Sequence, residues 1–96
     1  GCRVEWSMDM ELEPVSLDAQ VIEAVNLAAG RLGLETRPIF SGAIHDALNL
    51  SAKVKTGMIF VPSRQGLSHS PYEWTDWPEL GSGIDVLEHT VRQLCL

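Results

Sequence analysis

The fold turns on one stretch, Thr56-Gly57-Met58-Ile59-Phe60-Val61-Pro62-Ser63, or TGMIFVPS. Met58 to Val61 is apolar without alternation, too short for a helix, and bounded by Gly57 and Pro62. That pattern predicts a strand over Thr56–Val61, central in a sheet and covered on both faces. It runs into Gly66-Leu67-Ser68-His69-Ser70-Pro71-Tyr72-Glu73, or GLSHSPYE. A Gly- and Ser-rich loop at the end of such a strand is where open α/β sheets bind ligands.

Working outward, the other elements read from their periods. Asp18 is placed to cap a helix running to about Leu32. Val21, Ile22, Val25, Ala28, Ala29 and Leu32 form its apolar face, and Gly33 stands where a left-handed residue ends it. Thr36 to Phe40 predicts a short strand, and His45 to about Ala52 a second helix. Asp76-Trp77-Pro78-Glu79 has the composition of a capping box with proline in the first turn. A last helix follows, with a stripe of Leu80, Ile84, Leu87, Val91 and Leu94, and with Gly81 and Gly83 suggesting close packing against another backbone. Val4 to Leu12 alternates apolar and polar residues, the mark of a half-buried strand, and Pro14 ends it. From Asp18 onward, alternating strands and helices predict an α/β layer fold.

Ninety-six residues suit one domain or a piece of one. The chain opens without an initiator Met and turns strand-like within four positions, which reads as part of a longer protein. The net charge is −6, and the seven Lys and Arg residues are scattered. Nucleic acid and anionic membranes are therefore poor partners. No apolar run approaches the ~20 residues of a membrane span. Cys2 and Cys95 stand at the two ends and could pair if the ends met in space, but two thiols make no disulfide scaffold, so a reducing, cytoplasmic setting is expected.

Few residues carry chemistry. His69 reads either as a metal ligand or general acid–base, or as a surface histidine bonded to Ser68, Ser70 or Glu73. On residue types alone the second reading outweighs the first, because metal centres need three or four ligands. His45-Asp46 could serve a metal or a proton relay, but adjacent side chains diverge on a helix, and Asp46 suits the positive end of one. Glu73 could fix the tautomer of a metal-bound histidine, or simply face solvent. His89 reads as surface, and Trp74 and Trp77 as packing over the last helix. There is no phosphate-binding glycine fingerprint, CxxC, HExxH or nucleophile elbow.

Taken together, Ser41-Gly42-Ala43-Ile44-His45-Asp46-Ala47 and Met58-Ile59-Phe60-Val61-Pro62-Ser63…Gly66-Leu67-Ser68-His69-Ser70-Pro71-Tyr72-Glu73 resemble the amidase, hydantoinase and carbamoylase group of M20 metallopeptidase-like zinc hydrolases. That group includes N-carbamoyl-L-amino-acid hydrolases, allantoate amidohydrolases and one type of β-ureidopropionase. The resemblance spans nearly the whole chain and corresponds to the C-terminal end of a member about four times as long.

The resemblance implies the C-terminal part of an α/β metallopeptidase-like (phosphorylase/hydrolase-type) catalytic domain over residues 15–96. Residues 1–14 would be the last strand of an inserted lid or dimerisation domain. It further implies that His69 ligates a two-metal centre holding Zn2+, with Mn2+ or another divalent ion as a substitute. Gly66 and Ser68 would shape its loop, while His45, Asp46 and Glu73 would lie near the substrate or behind the ligands. The other ligands, the general-base glutamate and the lid arginine that grips a substrate carboxylate would all be upstream, leaving no catalytic group in this chain. The implied reaction is hydrolysis of linear carbon–nitrogen bonds in carbamoyl, ureido or amidino derivatives, by a homodimer formed through the lid. The isolated chain is expected to be inactive. The rival readings are an M20 aminoacylase or peptidase fragment, and a non-catalytic remnant or strand-pairing module. Ile44 departs from the family, which usually has glycine there; a β-branched residue resists positive φ and close backbone approach.

Overall fold

The structure, a computed structural model, describes residues 1–8 and 13–96. Its helices are α1 (Ala19–Arg31), α2 (Asp46–Leu50) and α3 (Trp77–Cys95), with a 3₁₀ turn at Arg64–Gly66. All three fall where the sequence places them.

The limits of α1 follow from local chemistry at both ends. Asp18 takes an extended conformation, and its carboxylate accepts from the amides of Gln20 (2.9 Å) and Val21 (3.1 Å). At the other end Gly33 has φ +73°. Its amide donates to Gly30 O (3.1 Å), and the Leu34 amide donates to Ala29 O (2.9 Å). This is the Schellman arrangement, which satisfies carbonyls the helix would otherwise orphan.

The core lies between α1 and α3. Its fully buried apolar residues are Ala24, Ala28 and Ala29 from α1 and Val86 from α3. Val25, Leu32 and Ile59 are half-buried against that group. The alanines give α1 a low surface on which α3 rests. Thr90 is buried beside Val86 and stays satisfied by donating to the Val86 carbonyl (2.7 Å).

The buried face of α3 is not the expected stripe. Gly83, Val86 and Thr90 face inward, while Ile84, Leu87, Val91 and Leu94 are each about half exposed. The helical period fixes which residues share a face; it does not decide which face meets α1. On the inward side, Gly83 allows a close approach of Val61, whose side chain an added Cβ would overlap. The close packing read from the glycines is therefore real at Gly83, but it is made with a side chain. Nothing lies within 4 Å of a Cβ at Gly81.

Among the described residues there is no β-strand, which corrects the readings of Thr36–Phe40 and Thr56–Val61. A strand exists through a ladder of hydrogen bonds to a neighbour; among the described residues Thr56–Val61 has a single such bond, from the Asp18 amide to Thr56 O (3.0 Å), and no ladder forms on either stretch. The Val4–Leu12 strand lies partly outside the described residues, and residues 1–8 carry no regular structure. The family-level α/β expectation thus rests on helices alone here.

Thr56–Val61 nonetheless packs with a period of two. Ile59 sits against the α1–α3 core, Val61 meets Gly83, and Gly57 lies so close to Val21 that an added Cβ would overlap its side chain. Phe60, between them, turns away toward His45 and is 43% exposed. On the other face Thr56 and Met58 are half-buried and Phe60 is exposed, so the cover expected on both faces is only partial there. The Cα radius of gyration is 16.8 Å, with extents of 59 × 32 × 18 Å. A compact chain of this length would have a radius of about 12–13 Å.

Candidate functional site

Between Val61 and α3 the backbone folds into a loop held by its own short-range bonds. The Gly66 amide donates to Ser63 O (2.9 Å), and the Leu67 amide to Arg64 O (3.1 Å). Ser63 Oγ donates to Leu67 O (2.5 Å). Gln65 and Gly66 both take left-handed conformations, φ +54° and +67°. Ser70 turns the far side, accepting from the Tyr72 amide on Oγ and from the Glu73 amide on its carbonyl, both at 3.1 Å.

His69 lies between these two turns with φ +54°. Among the described non-glycine residues only Gln65 and His69 have positive φ. Histidine reaches this region more readily than most residues, but the conformation persists only where the surroundings enforce it.

The second histidine comes from a different segment. Ser41 starts a tight turn in which its Oγ accepts from the Ala43 amide (3.2 Å) and lies 2.9 Å from His45 Nε2. His45 precedes the short helix α2 as its N-cap. Its ring meets His69 edge to face, with centroids 5.3 Å apart at 84°, and meets Phe60 similarly at 5.7 Å and 73°. The two SGAIHDA and GLSHSPYE histidines therefore share one locus, with Ser41 and Phe60 holding the first of them.

The remaining predicted residues are arranged around this pair without joining it. Asp46 is exposed in the first turn of α2, and Glu73 is exposed, with no hydrogen bond from its carboxylate among the described residues. Gly66 and Ser68 flank the turn leading to His69. Ile44 does not have positive φ, and it is 63% exposed, so neither objection to a β-branched residue applies there. His89 is exposed on α3, its Nδ1 donating to Asp85 O (2.9 Å). Cys2 and Cys95 are free, exposed thiols.

Sequence reading missed Ser41, Phe60 and Arg64. Ser41 stood inside the motif and could have been noticed as the only hydroxyl beside His45; Arg64 carried no local signal. The capping reading of Asp76 was wrong in its chemistry. Asp76 is the N-cap of α3, but its carboxylate bonds no helix amide. It accepts instead from Arg64 Nη2 (3.0 Å) and Trp74 Nε1 (3.2 Å). Trp74 and Trp77 pack on each other at the helix start and remain 45% and 72% exposed, rather than covering α3.

Two imidazoles do not by themselves make a metal site. Among the described residues no group of three or more His, Cys, Asp or Glu side chains is close enough to hold an ion. An open groove of about 470 Å³ between α1 and α3, lined by residues including Gln20, Leu27 and Leu94, does not include either histidine. None of the described helices is long and apolar enough to cross a membrane.

The loop holds one imidazole in a left-handed conformation beside a second. Comparison with known proteins gives the family. The family model for peptidase family M20/M25/M40 matches residues 1–93, and the chain belongs to this family. It is 42% identical over 83 residues to an N-carbamoyl-L-amino-acid amidohydrolase of Paenarthrobacter aurescens, covering 86% of this chain and 20% of that protein. It is 36% identical over 91 residues to an allantoate amidohydrolase of Escherichia coli, covering 95% and 22%. An uncharacterized hydrolase of Haemophilus influenzae is 35% identical over 93 residues, covering 97% and 23%. The chain thus spans between a fifth and a quarter of the length of these curated relatives.

Proposed function

We propose that this chain is the C-terminal part of a metal-dependent hydrolase of linear carbon–nitrogen bonds in carbamoyl, ureido or amidino derivatives of amino acids, and that it is inactive alone. The observation that carries the proposal is the meeting of His45 and His69, with His69 held left-handed at its loop. The M20 family is generally metal-dependent, and an imidazole fixed by its backbone is a suitable single ligand for zinc or a related divalent ion. The names of the amidohydrolase relatives supply the bond class.

In this reading His69 is the ligand, and the metal supplies Lewis-acid polarisation of the scissile carbonyl when bound. His45 stands edge-on beside it, its Nε2 committed to Ser41, and orients the substrate or the ligand ring. Ser68 and Gly66 shape the loop, and Asp46 and Glu73 line its approaches. Upstream residues supply the other ligands and the general base, the substrate carboxylate clamp, and the lid through which two copies pair in the cytoplasm. The thin core, the half-exposed apolar stripe of α3 and the open shape support a stretch that folds as part of a larger domain.

The test is ammonia release from an N-carbamoyl amino acid and from allantoate, with metal content measured in parallel. The full chain should turn over at least one of them. His69→Ala should lower turnover and metal content by more than about 100-fold, beyond what outer-shell partners contribute. The 96-residue chain should match a buffer blank. Turnover of N-acyl amino acids alone would favour an aminoacylase. A full chain with neither metal nor turnover would favour a non-catalytic remnant.

A further inference from the structure

We infer that Arg64 is a positioning residue for His69: it latches the two ends of the His69 loop to the start of α3. The inference deepens the function proposed above and rests on it for the role of His69, though not for the latch itself.

Four contacts close the loop at one place. The Arg64 amide donates to Trp74 O (2.8 Å). The Arg64 guanidinium carbon lies 5.6 Å from the centroid of the Trp74 ring. Arg64 Nη2 pairs with Asp76 Oδ1 (3.0 Å), and Trp74 Nε1 donates to the same oxygen (3.2 Å). One side chain thus engages the ring at the far end of the loop and the carboxylate at the head of α3.

The use of Asp76 is the informative feature. A carboxylate at an N-cap ordinarily accepts from the second or third helix amide, worth about 1 kcal/mol. Asp76 forgoes that bond for the Arg64–Trp74 pair. Helix α3 is anchored by Val86 and Thr90 in the core, so the bond ties the loop to a helix packed into the core.

His69 needs such an anchor. A left-handed histidine relaxes toward ordinary φ when its loop is free, since that conformation is disfavoured for residues with a Cβ. Local turns hold each side of His69; the Arg64 contacts join the two sides to each other and, together with the Trp74 Nε1–Asp76 bond, to α3. The Arg64 and Asp76 side chains are 66% and 53% exposed, so the pair adds little to global stability. Its effect falls on where the loop sits.

The experiment compares Arg64→Met and Arg64→Lys with the parent in the full chain, by amide hydrogen exchange, unfolding midpoint and zinc affinity from chelator competition. Arg64→Met should speed exchange across residues 65–73 about tenfold while leaving α1 and α3 unchanged. Its unfolding midpoint should stay near the parent's, and zinc affinity should fall about tenfold, the lower range for outer-shell partners. Arg64→Lys keeps a cation over Trp74 and should recover part of both losses. Unchanged exchange across 65–73, or faster exchange spread over the whole chain with a lower midpoint, overturns the inference. Faster local exchange with unchanged zinc affinity also overturns it, because the latch would then not position His69; the metal role of His69 itself is tested separately by His69→Ala.

Discussion

Two glycines in α3, two residues apart in sequence but opposite in surroundings, give the sharpest test of the packing. In a helix interior, Gly→Ala gains about 1 kcal/mol, because alanine loses less backbone entropy. At Gly81 nothing lies within 4 Å of the new Cβ, so Gly81→Ala should stabilise by about 0.5–1 kcal/mol. At Gly83 the new Cβ would overlap Val61 Cγ1, a branch of a stiff side chain that cannot swing away. Overpacking of that kind costs about 1–3 kcal/mol, so Gly83→Ala should fall between neutral and about 2 kcal/mol destabilising. Val61 Cβ would be 3.9 Å from the new atom, ordinary contact distance. In a Val61→Ala background, Gly83→Ala should therefore become stabilising, with an interaction energy of about 1–3 kcal/mol across the cycle. Urea unfolding of the four full-chain variants measures this, provided the slopes agree. Equal stabilisation at both glycines would refute the placement of residues 56–61 against α3.

The caps of α1 predict two further changes. Asp18→Ala removes the acceptor for the Gln20 and Val21 amides and should cost about 1 kcal/mol in urea unfolding, with Asp18→Asn recovering most of it. Gly33→Ala places a Cβ on a residue with φ +73° and should cost about 1–2 kcal/mol by the same measurement, although the space around it is open. Gly33→Asn should cost less, since asparagine tolerates that region.

What was legible in the sequence was what neighbours along the chain decide. Helix α1 could be bounded by Asp18 and Gly33 because capping involves residues within a turn of each other. The loop around His69 stood out because Gly66, Ser68, Ser70 and Pro71 are turn formers wherever they occur. The strands failed because pairing is a property of two segments, and Met58–Val61 carries no mark of whether a neighbour is present. The stripe on α3 failed for a related reason: Ile84, Leu87, Val91 and Leu94 do share a face, but the residues buried in the core are Val86 and Thr90, and which face meets α1 depends on the partner surface. At the site, the two motifs pointed to His45 and His69 separately. Their contact, the support from Phe60 and the latch from Arg64 depend on distances that sequence does not carry. Asp76 misled because its composition satisfied a local rule that a stronger, nonlocal partner overrode.

The core and the site are joined through one segment, Thr56 to Ser63. Besides the Asp18 amide donating to Thr56 O (3.0 Å), its register is set by two complementary pairs: Gly57 of the segment receives Val21 of α1, and Val61 of the segment fits over Gly83 of α3. In each pair one partner has no side chain and the other is branched, so neither contact survives a shift of one residue. Such a shift would also turn every side chain to the opposite face. Phe60 would then leave His45 for the helices, and Ile59 would leave the core. Because Pro62 and Ser63 follow at once, the start of the His69 loop would move by a residue's length, about 3.3 Å. That displacement is comparable to the reach of a hydrogen bond, and no imidazole contact at 5.3 Å between centroids would persist through it. Two glycine–valine contacts remote from the histidines thus fix the register on which their meeting depends.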